Sequence, residues 1–440
     1  MRMTTTIERF TQGARMHRHS QYNALMGMLS NPVELLECFE NQPGNKAPGV
    51  DKISKSDYGE GVVERIKALS ANLRSLSYQP KPSRRVYIPK GNGKFRPLGI
   101  PCFEDRMVQQ QLSRILQAIW EPEFRDCSYG FRPQRNAHQA LARLGEIITN
   151  EQTQWVVEAD IKGFFDHVSH DWLMQFLAHR IKDPVFLRII KRFLKAGIME
   201  DGVLSCSDAG TPQGGLVSPI LANIYLHYVL DLWVEKRFAK TCRGNAYLVR
   251  YADDYVACFT DESDAKRFLV EMTERLAKFQ LEVEPSKTTL LRFGNRAVKE
   301  CQLDGLKRPA TFNFLGFTHY VGKSRKGRFM VGRKTQRDRI TRNLKEVNQK
   351  LATLRPQGGK AMMLYAKRHL SGHVAYYAVS GNARQIRNYA YRFSRLLFKW
   401  LNRRSQRRSC NWDKFSRILK GWMPSLCIQH NLYPRPLWMT

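Results

Sequence analysis

The stretch YLVRYADDYVACF (247–259) sets apolar, β-rich runs on both sides of adjacent aspartates. Such runs around a short polar break predict strand, tight turn, strand. Asp favours turns, so the pair alone reads as no more than a hairpin tip. Context changes that reading. WVVEADIKGFFDHV (155–168) opens on a β-branched and aromatic run, as a buried strand does, then turns polar and leaves Asp160 at the strand end. Phe164 and Phe165 follow it, and a turn-rich GTPQGG (210–215) lies between the two acidic sites. Extending a nucleic acid chain takes two divalent cations roughly 3.5–4 Å apart, clamped by carboxylates. Hard oxygen ligands suit Mg2+, with Mn2+ as the alternative. Asp160, Asp253 and Asp254 are therefore the candidate ligands of two Mg2+ ions.

Charge agrees with this chemistry. The 440-residue chain carries 72 Lys and Arg against 39 Asp and Glu, a formal net charge of +33. Self-repulsion on that scale disfavours a compact state unless a polyanion neutralises it in use, so nucleic acid is the expected partner. An anionic membrane would require a basic amphipathic helix or an apolar span of about 18 residues. No such span is present, and no membrane partner is expected. The opening MRMTTTIERF lacks the apolar stretch of a signal peptide, and the cysteines stand singly at 38, 102, 127, 206, 242, 258, 301, 410 and 427. A reducing, cytoplasmic setting follows, nucleoid-associated in a bacterium. Without a CxxC pair no zinc ribbon or Cys-rich nuclease module is expected, and most thiols read as core residues.

Along the chain, residues to about 80 read as helices around a Gly/Pro/Asn break, NQPGNKAPGVDKIS (41–54). VYIPKGNGKFRPLGIP (86–101) predicts a β-hairpin with a basic tip carrying Lys90, Lys94 and Arg96. EDRMVQQQLSRILQAIW (104–120) has one apolar helical face, Met107, Leu112, Ile115, Leu116 and Ile119. VSPILANIYLHYVLDLWVEK (217–236) is also helical in period. After Gly316, SRKGRFMVGRKTQRDR (324–339) and RNYAYRFSRLLFKWLNRRSQRR (387–408) mix basic and aromatic residues at helical spacing, so a basic helical domain is expected to begin there. LRPQGGK (354–360) marks a connection between helices.

DIKGFFD (160–166), GTPQGGLVSPILANIYLH (210–227) and YADD (251–254) together resemble the blocks of reverse transcriptases, those of the group II intron maturase type above all. RPLGIP (96–101), YGFRPQRNAHQAL (129–141), PSKT (285–288) and FNFLGF (312–317) extend the resemblance over about residues 40–320. It implies an α+β right-hand polymerase with helical fingers, a ferredoxin-like antiparallel-sheet palm and a three-helix thumb. The implied divisions are an N-terminal extension and start of the fingers at 1–80, fingers 81–155, palm 156–322, thumb or maturase domain 323–408 and a short basic tail 409–440.

The same resemblance implies roles for single residues. Asp160 and Asp253 would bind both metals, with Ile161 and Asp254 beside them. Lys90 and Arg96 would grip the incoming triphosphate, and Gln213 would touch the nucleotide. Phe164, with Phe165 next to it, would crowd a ribose 2′-OH and favour deoxynucleotides. Lys287 would protonate or neutralise the pyrophosphate leaving group, and Arg132 and Arg135 would contact template or primer phosphates. Thumb-like helices bearing Arg339, Arg342, Lys345, Arg395, Lys399, Arg403 and Arg404 would line an RNA groove, with Tyr376, Tyr377, Tyr391 and Trp400 packing or stacking. The implied partners are an RNA template such as group II intron RNA, a DNA or RNA primer, and dNTPs. Oligomeric state stays open.

Each assignment has a plainer counterpart. Phe164 serves equally as core, Lys90 and Arg96 as exposed hairpin charges, and the arginines as solvated surface. GNGK (91–94) lacks the full spacing of a phosphate-binding P-loop. His369 and His373 have zinc-ligand spacing but no intervening glutamate, and read as ordinary histidines. Only about thirty residues follow the thumb-like helices, so no nuclease module is expected. Three rival functions remain: a freestanding reverse transcriptase for phage defence, spacer acquisition or repair; a non-catalytic RNA-binding splicing factor; and an RNA-templated RNA polymerase.

Overall fold

The computed structural model describes residues 6–17, 19–91, 94–200, 202–205, 209–210, 214–324, 326–403 and 410–434, with backbone alone at 6, 90, 91 and 94. In chain order the strands are β1 (Ser83–Gly91), β2 (Lys94–Ile100), β3 (Trp155–Ala159), β4 (Ile198–Glu200), β5 (Val203–Ser205), β6 (Ala246–Tyr251), β7 (Asp254–Phe259), β8 (Thr289–Arg292), β9 (Phe312–Phe314), β10 (Phe317–Lys323) and β11 (Phe329–Thr335). The central sheet runs β6-β7-β3-β8, with every neighbour antiparallel. Helices separate β3 from β6 and β7 from β8, giving the βαββαβ order of a ferredoxin-like fold.

Strand alternation makes this sheet a partition. Val157 and Ala159 of β3 and Tyr255, Ala257 and Phe259 of β7 face a core shared with the N-terminal helices, the helix Phe103–Trp120 and the helix Glu262–Lys278. Val156, Val249, Val256 and Cys258 face a second core, built with the helix Ala137–Asn150 and the C-terminal helices. Residues of like parity share a face. Glu158 and Asp160 therefore follow Val156, and Asp254 precedes Val256, onto the C-terminal side of the sheet.

The remaining sheets flank this one. β1 and β2 form the expected hairpin, and β1 pairs in parallel with β4, giving the order β2-β1-β4-β5. Met107, Leu112, Ile115, Leu116 and Ile119 are all buried, as the period of helix 103–120 requires. The break at 41–54 separates the helices Pro32–Asn41 and Lys55–Gly59. The connection at 354–360 separates Arg337–Leu354 from Gly359–Tyr377.

The helical period at 217–236 holds, as α-helix over Ser218–Leu226 and with wide π turns at His227–Asp231 and Val234–Phe238. One expectation changes. The basic stretch 324–339 does not open a helical domain, because β11 pairs with β10 from Phe317↔Thr335 to Lys323↔Phe329 and the helix starts only at Arg337. Val331, Arg333 and Thr335 are buried at strand period, and the buried Arg333 hides that period from any apolar count. A division at 322/323 accordingly falls inside a hairpin.

Candidate active site

The β6–β7 turn is a two-residue tip, with Tyr251 paired to Asp254 and Ala252 and Asp253 between them. Ala252 stands at φ 59, a left-handed conformation that costs an L-residue energy and that hairpins of this kind normally give to glycine. Its neighbours hold it there. Arg250, fully buried, donates to the Ala252 carbonyl at 3.0 Å, to both oxygens of Asp231 at 2.7 and 2.5 Å, to Asn223 Oδ1 at 3.1 Å and to Ser128 Oγ at 2.8 Å. On the other flank a Cβ on Gly130 would collide with the Ala252 nitrogen, so only glycine lets that backbone approach.

Asp160 reaches the same place from β3. Its carbonyl accepts from Glu284 N–H at 2.8 Å, and Ile161 pairs with Val283 beyond the strand proper. Since Ala159 pairs with Tyr255, Asp160 comes opposite Asp254. Both line one cavity with Glu158, Lys287, Leu315 and Arg339. The Lys287 ammonium, from the short turn Pro285–Lys287, is hydrogen-bonded to the Asp160 carboxylate.

The acids perturb one another. Burial pushes Asp254 up to about 6, and the charges of Asp253 and Asp160 add to it. Asp253 is raised by burial and by Asp160, against the opposing charges of Arg96 and Lys287. Glu158 rises to about 7 through burial, reinforced by Asp254 and Asp160, despite the 3.1 Å hydrogen bond it accepts from Asn313 N–H. Lys287 is held above its ordinary value by its bond to Asp160. Burial is the first cause of the rises in Asp253 and Asp254, and Arg96 and Lys287 only partly offset it. Among the described residues no group of three His, Cys, Asp or Glu side chains stands so that it could hold a metal ion, and the cation seated on Asp160 is the Lys287 ammonium. The donors that Asp160, Asp253 and Asp254 offer are hard carboxylate oxygens, the type that suits Mg2+.

The other expected site residues divide. Arg96 on β2 is exposed and acts electrostatically on Asp253, and Arg339 is exposed in the shared cavity. Arg342 is exposed, 3.9 Å from Glu346. Lys399 and Arg403 lie over the Trp400 ring at 5.5 and 5.8 Å. Lys90 lies on β1, but its side chain, with Gln213 and Arg404, is outside the described residues.

Two assignments are corrected. Arg132 does not face phosphate, because its side chain is 3% exposed and bound to Glu121 at 2.8 Å and to the carbonyls of Arg125 and Ser128. Arg135 is similarly engaged by Asp126 at 2.7 Å over the Tyr129 ring. Phe164 is 2% exposed, packed edge-on to Phe165 and Tyr225, so it cannot crowd a ribose, whereas Phe165 is half-buried. His373 stacks on Tyr389 at 3.6 Å and His369 bonds the Tyr389 hydroxyl, the ordinary roles expected of them.

Glu158 and Arg250 escape a reading by motif. Strand period finds the first, two residues before Asp160. A lone arginine inside an apolar strand is the signal for the second.

Residues 88–319 match the family described as "Reverse transcriptase (RNA-dependent DNA polymerase)". The match covers just over half of the 440 residues, and the chain belongs to this family. Among the relatives it resembles are proteins named as group II intron-encoded and as an intron maturase. Group II intron-encoded protein LtrA of Lactococcus lactis subsp. cremoris is 38% identical over 231 residues, 51% of this chain and 38% of that protein. Protein YkfC of Escherichia coli K12 is 37% identical over 220 residues, 49% of this chain and 58% of its own length. Nuclear intron maturase 1, mitochondrial, of Arabidopsis thaliana is 34% identical over 95 residues, 22% of this chain and 13% of that one. The chain spans between 13% and 58% of the length of these three relatives.

Proposed function

We propose that the protein copies RNA into DNA, joining deoxynucleotides to a primer 3′ end with two Mg2+ ions held by Asp160, Asp253, Asp254 and the Ile161 carbonyl. The observation that carries this reading is the meeting of Asp160 with Asp254 in one cavity lined also by Arg339 and Lys287, beside the turn whose Asp253 interacts electrostatically with both acids. Bound there, the ions would acidify the 3′-hydroxyl and neutralise the triphosphate. Arg96 approaches Asp253 from the fingers hairpin and is placed to hold the triphosphate's negative charge. The Lys287 ammonium, bonded to Asp160 in the same cavity, would be placed to neutralise or protonate the departing pyrophosphate. Phe165, not Phe164, is the ring able to meet a ribose 2′-OH.

The test supplies purified protein with an RNA template, a DNA primer, Mg2+ and dNTPs, with Asp253→Asn as the control. Primer extension that the substitution abolishes is expected. Equal use of rNTPs and dNTPs by the unmutated protein would defeat the DNA-polymerase reading. Phe165→Ala should raise ribonucleotide incorporation and Phe164→Ala should instead lower stability.

A maturase role follows from the basic C-terminal helices and the intron-encoded relatives. Tight, salt-sensitive binding of the protein's cognate group II intron RNA is the expected result. Equal affinity for unrelated RNA at physiological salt would count against that role.

A further inference from the structure

The loop beside the catalytic turn carries a ring that the fold does not use. Phe131 stands at φ 57, a backbone conformation that marks strain for a bulky L-residue. Its side chain is 47% exposed and belongs to neither hydrophobic core. Among the described residues no aromatic or cationic group pairs with the ring, although Tyr129, Arg132 and Arg135 around it are each held by partners.

Both flanks force this conformation. Before it, Tyr129 N–H donates to the Arg250 carbonyl at 2.9 Å and the Gly130 carbonyl accepts from Asn223 at 2.8 Å. Gly130 itself abuts the backbone of Tyr251 and Ala252. After it, Arg132 is clamped by Glu121 and by the carbonyls of Arg125 and Ser128. The arginines expected to touch nucleic acid are thus spent as a buttress, and what they hold outward is Phe131. Strained residues persist where surrounding structure over-determines them, and such sites cluster where ligands are gripped.

We propose that Phe131 is a nucleic-acid contact: its ring packs on the base or sugar of a nucleotide beside the primer 3′ end and locates the primer–template against the Ala252–Asp253 turn. The inference rests on the polymerase reading above. An aromatic face accepts any base, which suits an enzyme that must copy every sequence. The contact is apolar, so it adds register to a grip otherwise supplied by the +33 net charge.

The test compares Phe131→Gly, Phe131→Ala and Phe131→Trp in the full chain. Glycine accepts positive φ without strain, so Phe131→Gly should keep or raise the Tm. The same variant should raise the Kd and KM for primer–template about five- to tenfold, the low end of base–aromatic stacking, with kcat little changed. The salt dependence of binding should be unaltered because no ionic contact is lost, and Phe131→Trp should restore affinity. Native Kd and KM in Phe131→Gly would overturn the proposal, as would a fall in its Tm of several degrees. If the native protein binds primer–template without extending it, the polymerase reading falls while the Kd comparison still judges Phe131. A native protein that binds no primer–template overturns both.

Discussion

Replacing Arg250 tests whether the buried network, and not the hairpin itself, shapes the catalytic turn. Arg250→Met leaves Asp231, 0% exposed, as an uncompensated buried carboxylate. Breaking one side of such a pair costs about 3–5 kcal/mol. Asp231→Leu strands the guanidinium instead and should cost about as much. The double variant removes both charges, and a buried ion pair exchanged for apolar side chains is often neutral in stability. What it cannot restore are the donors to the Ala252 carbonyl, Asn223 Oδ1 and Ser128 Oγ, at 3.0, 3.1 and 2.8 Å in the native chain, each acceptor left buried without a partner costing about 1–3 kcal/mol. Chemical denaturation should therefore show two weak single variants and a double variant no weaker than either, a coupling of several kcal/mol. Primer extension should separate from stability. The rescued double variant should remain at least about tenfold slow in kcat, because misplacing reacting groups by about 1 Å costs rate steeply. Additive destabilisation would refute the pairing argument. A rescued double variant with native kcat would show that the turn holds its shape without the pin.

The acid cluster sets a pH dependence of defined sign. Glu158 and Asp254 keep protons in the fold up to about 7 and about 6 that the unfolded chain loses near pH 4. The stability they contribute is therefore full below about pH 4 and lost as pH rises through 6 and 7. Asp105, buried and also raised to about 7, acts in the same direction, so the comparison must be made with and without Mg2+. Thermal melts without Mg2+ should fall in Tm between about pH 5 and 7.5, and Mg2+ should reduce that fall, while catalytic rate drops on acidification through the same range. An identical pH slope with and without Mg2+ would remove these acids from the metal site. Among the basic residues, Arg132→Ala should lower Tm while leaving the salt slope of RNA binding unchanged, and Arg339→Ala should weaken binding and lower that slope by about 1. A reversal of the two outcomes would return Arg132 to the interface.

Much of the palm is legible in the order of residues alone. The apolar runs around Asp253–Asp254 and ahead of Asp160 fold as the strands they predict, because short β-branched and aromatic runs broken by turn-forming residues suit buried strands better than helices. Local period also fixes helix 103–120, and turn residues fix the breaks at 41–54 and 354–360. The basic hairpin 317–335 escapes such a reading for a local reason. Its buried face carries Arg333 and His319, polar residues that a pattern built on apolar side chains counts as exposed.

Which side chains face solvent lies beyond the sequence. Arg132 and Arg339 are the same residue type, each with other arginines close by in sequence. One is buried on Glu121 and two carbonyls, while the other, bonded to Gln336 at the start of its own helix, is exposed in the cavity that Asp254 also lines. Neighbouring Phe164 and Phe165 divide in a similar way, the first fully buried and the second partly exposed at the edge of the same core. By itself the chain's order of residues determined the strands, the acids at their ends and the positive charge that calls for a polyanion. Only tertiary structure decided that Asp160 meets Asp254 on the C-terminal face of the sheet, beside the turn that carries Asp253, and which cations reach them. Strand period is a property of neighbours along the chain, whereas burial and pairing depend on groups that the fold brings together from distant segments.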